Sequence, residues 1–357
     1  MSKIKKPHAT LTISQITDMI MSVGDKVTVL VQGEMGCGKS SILNTLSAKF
    51  PDHYPAYFDL TTKDLGDIML PKVFETHADF VPNAEFGLHL NKPLLVMLDE
   101  IGKAPKAVMN ACLRLMLERK LGTHKLPEGS IVFATTNLGV EGLGDSVPPH
   151  ARNRITTVKM AKPSAIQWVE NYAIHNAIEP VVIGTVLEFP QMLASFEDYE
   201  KPDQNLYIND PRTVRTAFVT PRSLEKASHL VTALKPCGDE VLTHALIGTL
   251  GEAAALDMMA MVKLDMDLPR WKDIIDDPQG TRIPKNAAAS CMLIAKACVV
   301  LDNACVDSWM KYLVRMSAEA QGLFARLVMA SASSARATVV RNKLFTDMVV
   351  EKNYLWG

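Results

Sequence analysis

The sequence has few cysteines and no paired arrangement of them. Six cysteines are spread over 357 residues and none lies in a C-x-x-C pair, so a disulfide framework is not expected. Cys291, Cys298 and Cys305 recur every seven residues and are predicted on one face of a single helix. Neighbours in that row would lie about 10 Å apart along the axis, which favours buried thiols over a shared metal ion.

An excess of one charge and a long apolar run are also absent. Lys and Arg number 38 against 39 Asp and Glu, so composition indicates no dedicated nucleic-acid surface. No apolar stretch of signal-peptide or membrane-span length follows the basic N-terminus, so we expect no membrane partner and predict a cytoplasmic location. With 48% hydrophobic residues, the chain can build the cores of two or three domains.

One motif, G-x-x-x-x-G-K-S, stands out between a strand-like run at residues 27–31 and a helix-like stretch at 39–49. Glycines let the backbone aim its N–H groups at an anion, and the helix N-terminus adds partial positive charge. The motif predicts a nucleoside triphosphate site in which Lys39 reaches the β- and γ-phosphates and Ser40 ligates Mg²⁺. The predicted binding residues are Gly33, Glu34, Met35, Gly36, Cys37, Gly38, Lys39, Ser40 and Ser41.

Polar side chains follow two later strand-like runs. Residues 94–98 are continuously apolar, as in a strand buried on both faces of a parallel sheet, and end in Asp99 and Glu100. We expect Asp99 to bind nucleotide and hold Mg²⁺ through its water shell, and Glu100 to deprotonate an attacking water. The run at 131–136 precedes Asn137, whose amide is expected to hold that water. A carboxylate beside the attacking position favours an ATPase over a small-molecule kinase.

These segments resemble the AAA+ ATPases, and most closely their MoxR-like branch. The resemblance also rests on residues 64–66, 117–127, 147–154 and 220–222, and it covers about residues 25 to 230. It implies sensor 1 at Asn137, an arginine finger at Arg154 and sensor 2 at Arg222. Ile155 replaces the Phe that is common after the finger, so Arg152 competes for that role. ATP, Mg²⁺, a ring that is hexameric, and a von Willebrand factor A-type protein partner are implied as well.

Strand-like runs at 27–31, 56–60, 94–98, 131–135 and 155–158 alternate with helical stretches, which predicts an α/β fold with a parallel sheet. By resemblance, the strand order of this P-loop AAA+ domain is 5-1-4-3-2. We predict a nucleotide-binding domain at 1–162, an all-helical lid carrying sensor 2 at 163–267, and a helical C-terminal region at 268–357. The polar stretch 196–211 is a loop or an insertion.

A charged hairpin is predicted at residues 118–126, with Gly122 near its tip, and the resemblance places it at the pore of the ring. Three functions remain open. The first is a ring ATPase that remodels or activates a protein partner. The second is a nucleic-acid motor or loader whose hairpin grips phosphates through Arg119, Lys120 and Lys125. The third, a nucleotide-gated scaffold with little turnover, is disfavoured by the presence of Glu100 and Asn137.

Overall fold

The computed structural model of the chain describes residues 10–138, 153–330 and 335–351. The chain divides into two compact units, residues 1–162 and 163–357. Within the described ranges, no helix is both long enough and apolar enough to span a bilayer.

The first unit contains a five-stranded parallel sheet. The described strands of the whole unit are β1 (Val29–Gly33), β2 (Tyr54–Asp59), β3 (Met69–Val73), β4 (Ala78–Pro82), β5 (Leu94–Asp99), β6 (Lys120–Leu121), β7 (His124–Lys125), β8 (Ile131–Asn137) and β9 (Thr156–Lys159). The sheet order is β2-β5-β8-β1-β9, and every neighbouring pair is parallel. Numbering only these five strands along the chain gives the predicted order, 5-1-4-3-2.

The central strands are buried on both faces and carry two separate cores. Strands β5 and β8 are buried throughout, whereas the edge strands β2 and β9 are partly exposed. The helices of this unit are α1 (Ile13–Val23), α2 (Ser41–Lys49), α3 (Leu65–Ile68) and α4 (Lys106–Glu118). Val96 and Leu98 pack against α4 on one face, and Leu95 and Met97 pack against α1 and α2 on the other. The sheet therefore presents all its carboxyl ends at one firmly packed edge.

Two hairpins project from this unit. The hairpin of β6 and β7 was predicted, whereas that of β3 and β4 was not, because Pro71 and Pro82 argue against strands in a sequence pattern. Thr123 Oγ1 donates to Asp79 Oδ1 at 2.8 Å and so joins the two hairpins. The β3–β4 hairpin leaves large apolar side chains exposed, among them Val73 at 81%.

Arg119 anchors the β6–β7 hairpin instead of projecting from it. It ends α4 in a left-handed conformation, with φ of 57°. Its guanidinium donates to Thr28 Oγ1 at 2.6 Å and to the Gly24 carbonyl at 2.9 Å. Burial lowers the pKa of Arg119 to about 10, so it stays charged at neutral pH. Arg119 is thus bonded to its own chain, which leaves Lys120 and Lys125 to contact phosphates in the second functional alternative.

The second unit is helical. Its described helices are α5 (Ala165–Trp168), α6 (Pro180–Glu188), α7 (Pro221–Leu234), α8 (Asp239–Leu250), α9 (Glu252–Met266), α10 (Trp271–Asp276), α11 (Ala287–Val300), α12 (Val306–Leu313), α13 (Ala318–Met329), α14 (Arg336–Val339) and α15 (Lys343–Glu351). One hydrophobic cluster runs from α5 to α15, across both the lid range and the C-terminal range. The division at residue 268 stays a prediction.

The polar stretch after α6 consists of short 3₁₀ turns, including Phe196–Asp198 and Pro202–Gln204. It is fastened by Asp210, which is buried and accepts from the Arg212 backbone N–H at 2.9 Å and from its Nε at 2.8 Å. A buried carboxylate bonded in this way holds the stretch as an ordered loop.

The predicted row of three cysteines is wrong at Cys305. Helix α11 ends at Val300, and Cys305 lies at the start of α12. Asp302 causes the break, because its Oδ1 accepts from the backbone N–H groups of Ala304 and Cys305 at 2.9 and 3.0 Å. The thiols are nevertheless packed: Cys298 is fully buried, and burial raises its pKa to about 12.

Gly184 is required where α6 meets α11. A Cβ at this position would lie 2.2 Å from Met292 Cγ, so we expect Gly184→Ala to destabilise the second unit by about 1–3 kcal/mol. The control is Gly248→Ala in α8, where a Cβ meets no atom within 4 Å and helix propensity should add about 0.5–1 kcal/mol. All four tryptophans follow residue 162, so their fluorescence in urea reports this unit. Equal stability of Gly184→Ala and wild type would contradict the packing.

Candidate nucleotide-binding site

The loop between β1 and α2 has the geometry of a phosphate-binding loop. Gly36 and Gly38 adopt φ of 70° and 98°, a region that side chains disfavour, and so curl the chain ahead of the α2 N-terminus. Cys37 is buried beneath the loop. Ser41 Oγ donates to the Gly38 carbonyl at 2.8 Å, so this hydroxyl fixes the loop itself.

Lys39 is buried and connects the loop to β8. Its ammonium donates to the carbonyls of Gly33 at 2.9 Å and Glu34 at 3.0 Å, and to Asn137 Oδ1 at 2.6 Å. Because an ammonium only donates, Asn137 must offer its oxygen here and keep its Nδ2 for another partner. Among the described residues nothing accepts a bond from Nδ2, which is buried. A buried donor of this kind is costly unless a ligand oxygen accepts its proton.

Asp99 is buried at the end of β5 and accepts three hydroxyl contacts. Thr135 donates to Oδ1, Tyr57 donates to Oδ2 at 2.8 Å, and Ser40 Oγ lies 3.4 Å from the same Oδ2. Of these partners only Ser40 was predicted. Tyr57 and Thr135 were missed because their contacts depend on strand register, for which the sequence offers no signal.

Ser40 and Asp99 form a donor set that suits Mg²⁺. In the described part of the chain no three His, Cys, Asp or Glu side chains converge as a closed metal site. Mg²⁺ seldom needs one, because it is usually held by one or two carboxylates, waters and the phosphates of its substrate. A hydroxyl and a carboxylate at 3.4 Å beside a phosphate-binding loop fit that pattern.

Glu100 follows Asp99 in a strained conformation. Its φ is 55°, and its N–H donates to Thr135 Oγ1 at 3.4 Å. Its Oε2 is buried and lies 3.4 Å from the Lys103 ammonium, an ion-pair distance without hydrogen-bond geometry. Glu100 and Asn137 thus supply an acceptor and a donor at the ends of neighbouring strands. Strain at such a position is typical of functional residues.

A buried ion pair supports the loop from behind. Lys162 Nζ lies 3.6 Å from Glu34 Oε2, and the two side chains are only 4% and 10% exposed. Charges buried to this degree are tolerated when they are paired. Glu34 therefore faces Lys162 with its carboxylate while its carbonyl accepts from Lys39.

Arg154, the predicted finger, does not lie beside this loop within the first unit. Arg154 is exposed and precedes β9, whose Thr156 pairs with Val29 at the amino end of β1. At about 3.3 Å per residue, Arg154 lies roughly 15–20 Å along the strands from Gly33. Arg152, the competing finger, falls outside the described residues.

Arg222 is the second residue of α7 and is exposed. Thr220 caps this helix, accepting from the Ser223 N–H at 3.0 Å. Arg222 belongs to the second unit, and its sensor 2 role stays a prediction.

Removal of one member of the Glu34–Lys162 pair should loosen the loop. We expect Lys162→Met to destabilise the first unit by about 3 kcal/mol, since it removes a positive charge that lies beside a buried carboxylate. Hydrogen exchange of peptides covering β1 and α2 measures this. Adding Glu34→Gln should restore part of the loss, whereas Arg114→Met, which breaks an exposed pair with Glu118, should change exchange little. Unchanged exchange in Lys162→Met would show that the pair contributes nothing.

Comparison with known proteins agrees with this geometry. The family model of the AAA domain (dynein-related subfamily) matches residues 28–137. No curated protein matches the chain significantly in sequence. A protein of Cytophaga hutchinsonii is 18% identical with a TM-score of 0.32, and the alignment covers 42% of this chain and only 46% of that one.

Two further solved structures align over more of the chain. NtrX of Brucella abortus in complex with ATP is 13% identical, with a TM-score of 0.31 and coverage of 72% and 69% of the two chains. The Holliday junction branch migration motor RuvB of Thermotoga maritima is 16% identical, with a TM-score of 0.35 and coverage of 85% and 86%. TM-scores this low carry no argument about function, so the assignment rests on the family model and the geometry of the site. Residues 28–137, the part of the chain that the family model covers, are therefore similar to an AAA domain of the dynein-related subfamily.

Proposed function

We propose that this protein is a MoxR-like ATPase that works as a hexameric ring and uses ATP hydrolysis to remodel or activate a protein partner. The observation that carries the hydrolytic part is the meeting of Lys39, Asp99, Glu100 and Asn137 at one edge of the sheet. These are a phosphate-binding cation, a metal-binding carboxylate, a base and a donor.

The chemistry follows from the free bonding capacity of these groups. Mg²⁺, when bound beside Ser40 and Asp99, would neutralise charge on the β- and γ-phosphates. Glu100 takes a proton from a water whose oxygen forms the new bond to the γ-phosphorus as the bond to the β-phosphate oxygen breaks. The Asn137 Nδ2 donor, which has no partner among the described residues, holds that water or a γ-phosphate oxygen. Lys39 exchanges its bond to Asn137 for phosphate oxygens.

The position of Arg154 supports a site shared between subunits. Its guanidinium cannot span the 15–20 Å or so that separate it from its own phosphate-binding loop. It is exposed before an edge strand, where it can reach the γ-phosphate of a neighbouring copy. A guanidinium there stabilises charge that develops in the transition state. This placement supports the ring.

The exposed hairpin of β3 and β4 supports a protein partner. Val73 and Phe80 share one face of this hairpin and are 81% and 45% exposed, and Leu70 on the other face is 59% exposed. Large apolar side chains left exposed on one element mark interaction surfaces. The resemblance to the MoxR-like branch favours a von Willebrand factor A-type protein in this role. The nucleic-acid alternative is weakened because Arg119 is bonded to the Thr28 hydroxyl and the Gly24 carbonyl, and no observation among the described residues favours it. The cytoplasmic location stays a prediction.

Glu100→Gln tests the base. We expect ATP binding to persist and phosphate release to fall about 10²–10⁴-fold, because the amide keeps the shape and cannot take a proton. Glu118→Gln, at the exposed end of α4, is the control and should hydrolyse normally. Lys39→Ala should lose binding itself, since it removes the phosphate-binding cation. A loss of less than about tenfold in Glu100→Gln would place the base elsewhere.

Mixing two inactive variants tests the ring. Arg154→Ala should bind ATP normally and hydrolyse it slowly, because its guanidinium acts only in the transition state. Mixed with Glu100→Gln, it should regain part of the activity at interfaces that combine one intact Glu100 with one intact Arg154. Steady-state phosphate release of the mixture, against each variant alone, is the measurement. If subunits exchange and no activity returns, Arg154 is not a finger in trans, and Arg152 takes its place in the same test.

A further inference from the structure

Tyr57 contacts the carboxylate that the proposed function assigns to Mg²⁺. It lies on the edge strand β2, and although the residue is 47% exposed, its hydroxyl donates to Asp99 Oδ2 at 2.8 Å. A carboxylate only accepts, so the phenol must be the donor. An exposed tyrosine that reaches back to a buried carboxylate needs an explanation beyond packing.

The register of β2 on β5 creates this contact. Tyr57 pairs with Met97, so Asp99 lies two residues further along β5 on the same face of the sheet. Diagonal neighbours on adjacent strands lie within reach of an aromatic side chain. The next residues in β2, Ala56 and Phe58, face the opposite core. Tyr57 lies on the other face, which carries α2, together with Pro55 and Asp59.

Tyr57 and Thr135 together hold both oxygens of Asp99. Thr135 donates to Oδ1 and Tyr57 to Oδ2, so the plane of the carboxylate cannot rotate without breaking one of the two bonds. The same Oδ2 lies 3.4 Å from Ser40 Oγ. The carboxylate is thereby oriented towards the hydroxyl with which it would share the metal.

We propose that Tyr57 is a positioning residue for Mg²⁺: it holds Asp99 in the orientation that accepts a metal-bound water beside Ser40. This rests on the proposed Mg²⁺–ATP site. Groups that orient metal-binding side chains commonly contribute 10–100-fold to metal affinity, so Tyr57 should matter although it touches neither metal nor nucleotide.

The test is Tyr57→Phe, which removes only the hydroxyl. Binding of a fluorescent, hydrolysis-resistant ATP analogue is measured in EDTA and in a Mg²⁺ titration. We expect the half-saturating Mg²⁺ concentration to rise about tenfold, with unchanged affinity in EDTA and unchanged thermal stability. The matched control is Tyr54→Phe on the same strand, because Tyr54 packs against the core of the opposite face and should leave both measurements unaltered.

A double variant tests whether Tyr57 acts through Asp99. In an Asp99→Asn background, Tyr57→Phe should have no further effect on the Mg²⁺ dependence, since the two residues then form one unit. An unchanged Mg²⁺ requirement in Tyr57→Phe overturns the proposal, and so does an equal loss of affinity with and without Mg²⁺. If wild-type protein binds the analogue with no Mg²⁺ dependence at all, the proposed Mg²⁺ site itself fails.

Discussion

Parallel pairing of five strands is the constraint on which the rest of this unit depends. It brings every strand's carboxyl end to the same edge, where the backbone turns away from the sheet and side chains can face a ligand. β1 supplies the phosphate-binding loop, β5 supplies Asp99 and Glu100, and β8 supplies Asn137. Because β5 and β8 are buried throughout, the side chains at their ends rest on a rigid support.

The edge concentrates polar groups, and some of their bonding is incomplete among the described residues. Lys39 and Asp99 are buried and bonded to neighbours, whereas the Asn137 Nδ2 donor has no partner among the described residues. Such groups lower stability unless a ligand completes their bonds. Their presence in an otherwise well-packed unit indicates that this edge is adapted to bind a ligand, at a cost to the free energy of unfolding. The left-handed backbone of Glu100 adds strain at the same point.

Elsewhere in the first unit, long-range polar contacts hold the peripheral parts in place. Arg119 ties the β6–β7 hairpin to the turn before β1, and Asp79 joins that hairpin to its neighbour through Thr123. The buried Lys162–Glu34 pair holds the phosphate-binding loop to the end of the unit. These bonds let the exposed apolar residues of the β3–β4 hairpin be presented on an ordered element. A partner that engages them therefore meets a surface connected to the sheet.

Local pattern determined much of this protein. Neighbours in sequence are enough to identify the glycines and Lys39 of the loop, the continuous apolar strands and the Thr220 cap. This is because conformation and periodicity are local properties. The tertiary structure decided the contacts between distant residues, such as Tyr57 with Asp99, Arg119 with Gly24 and Lys162 with Glu34. A one-residue shift of β2 on β5 would turn Tyr57 to the other face, and no local signal specifies that register, since it is set by how the two cores pack together.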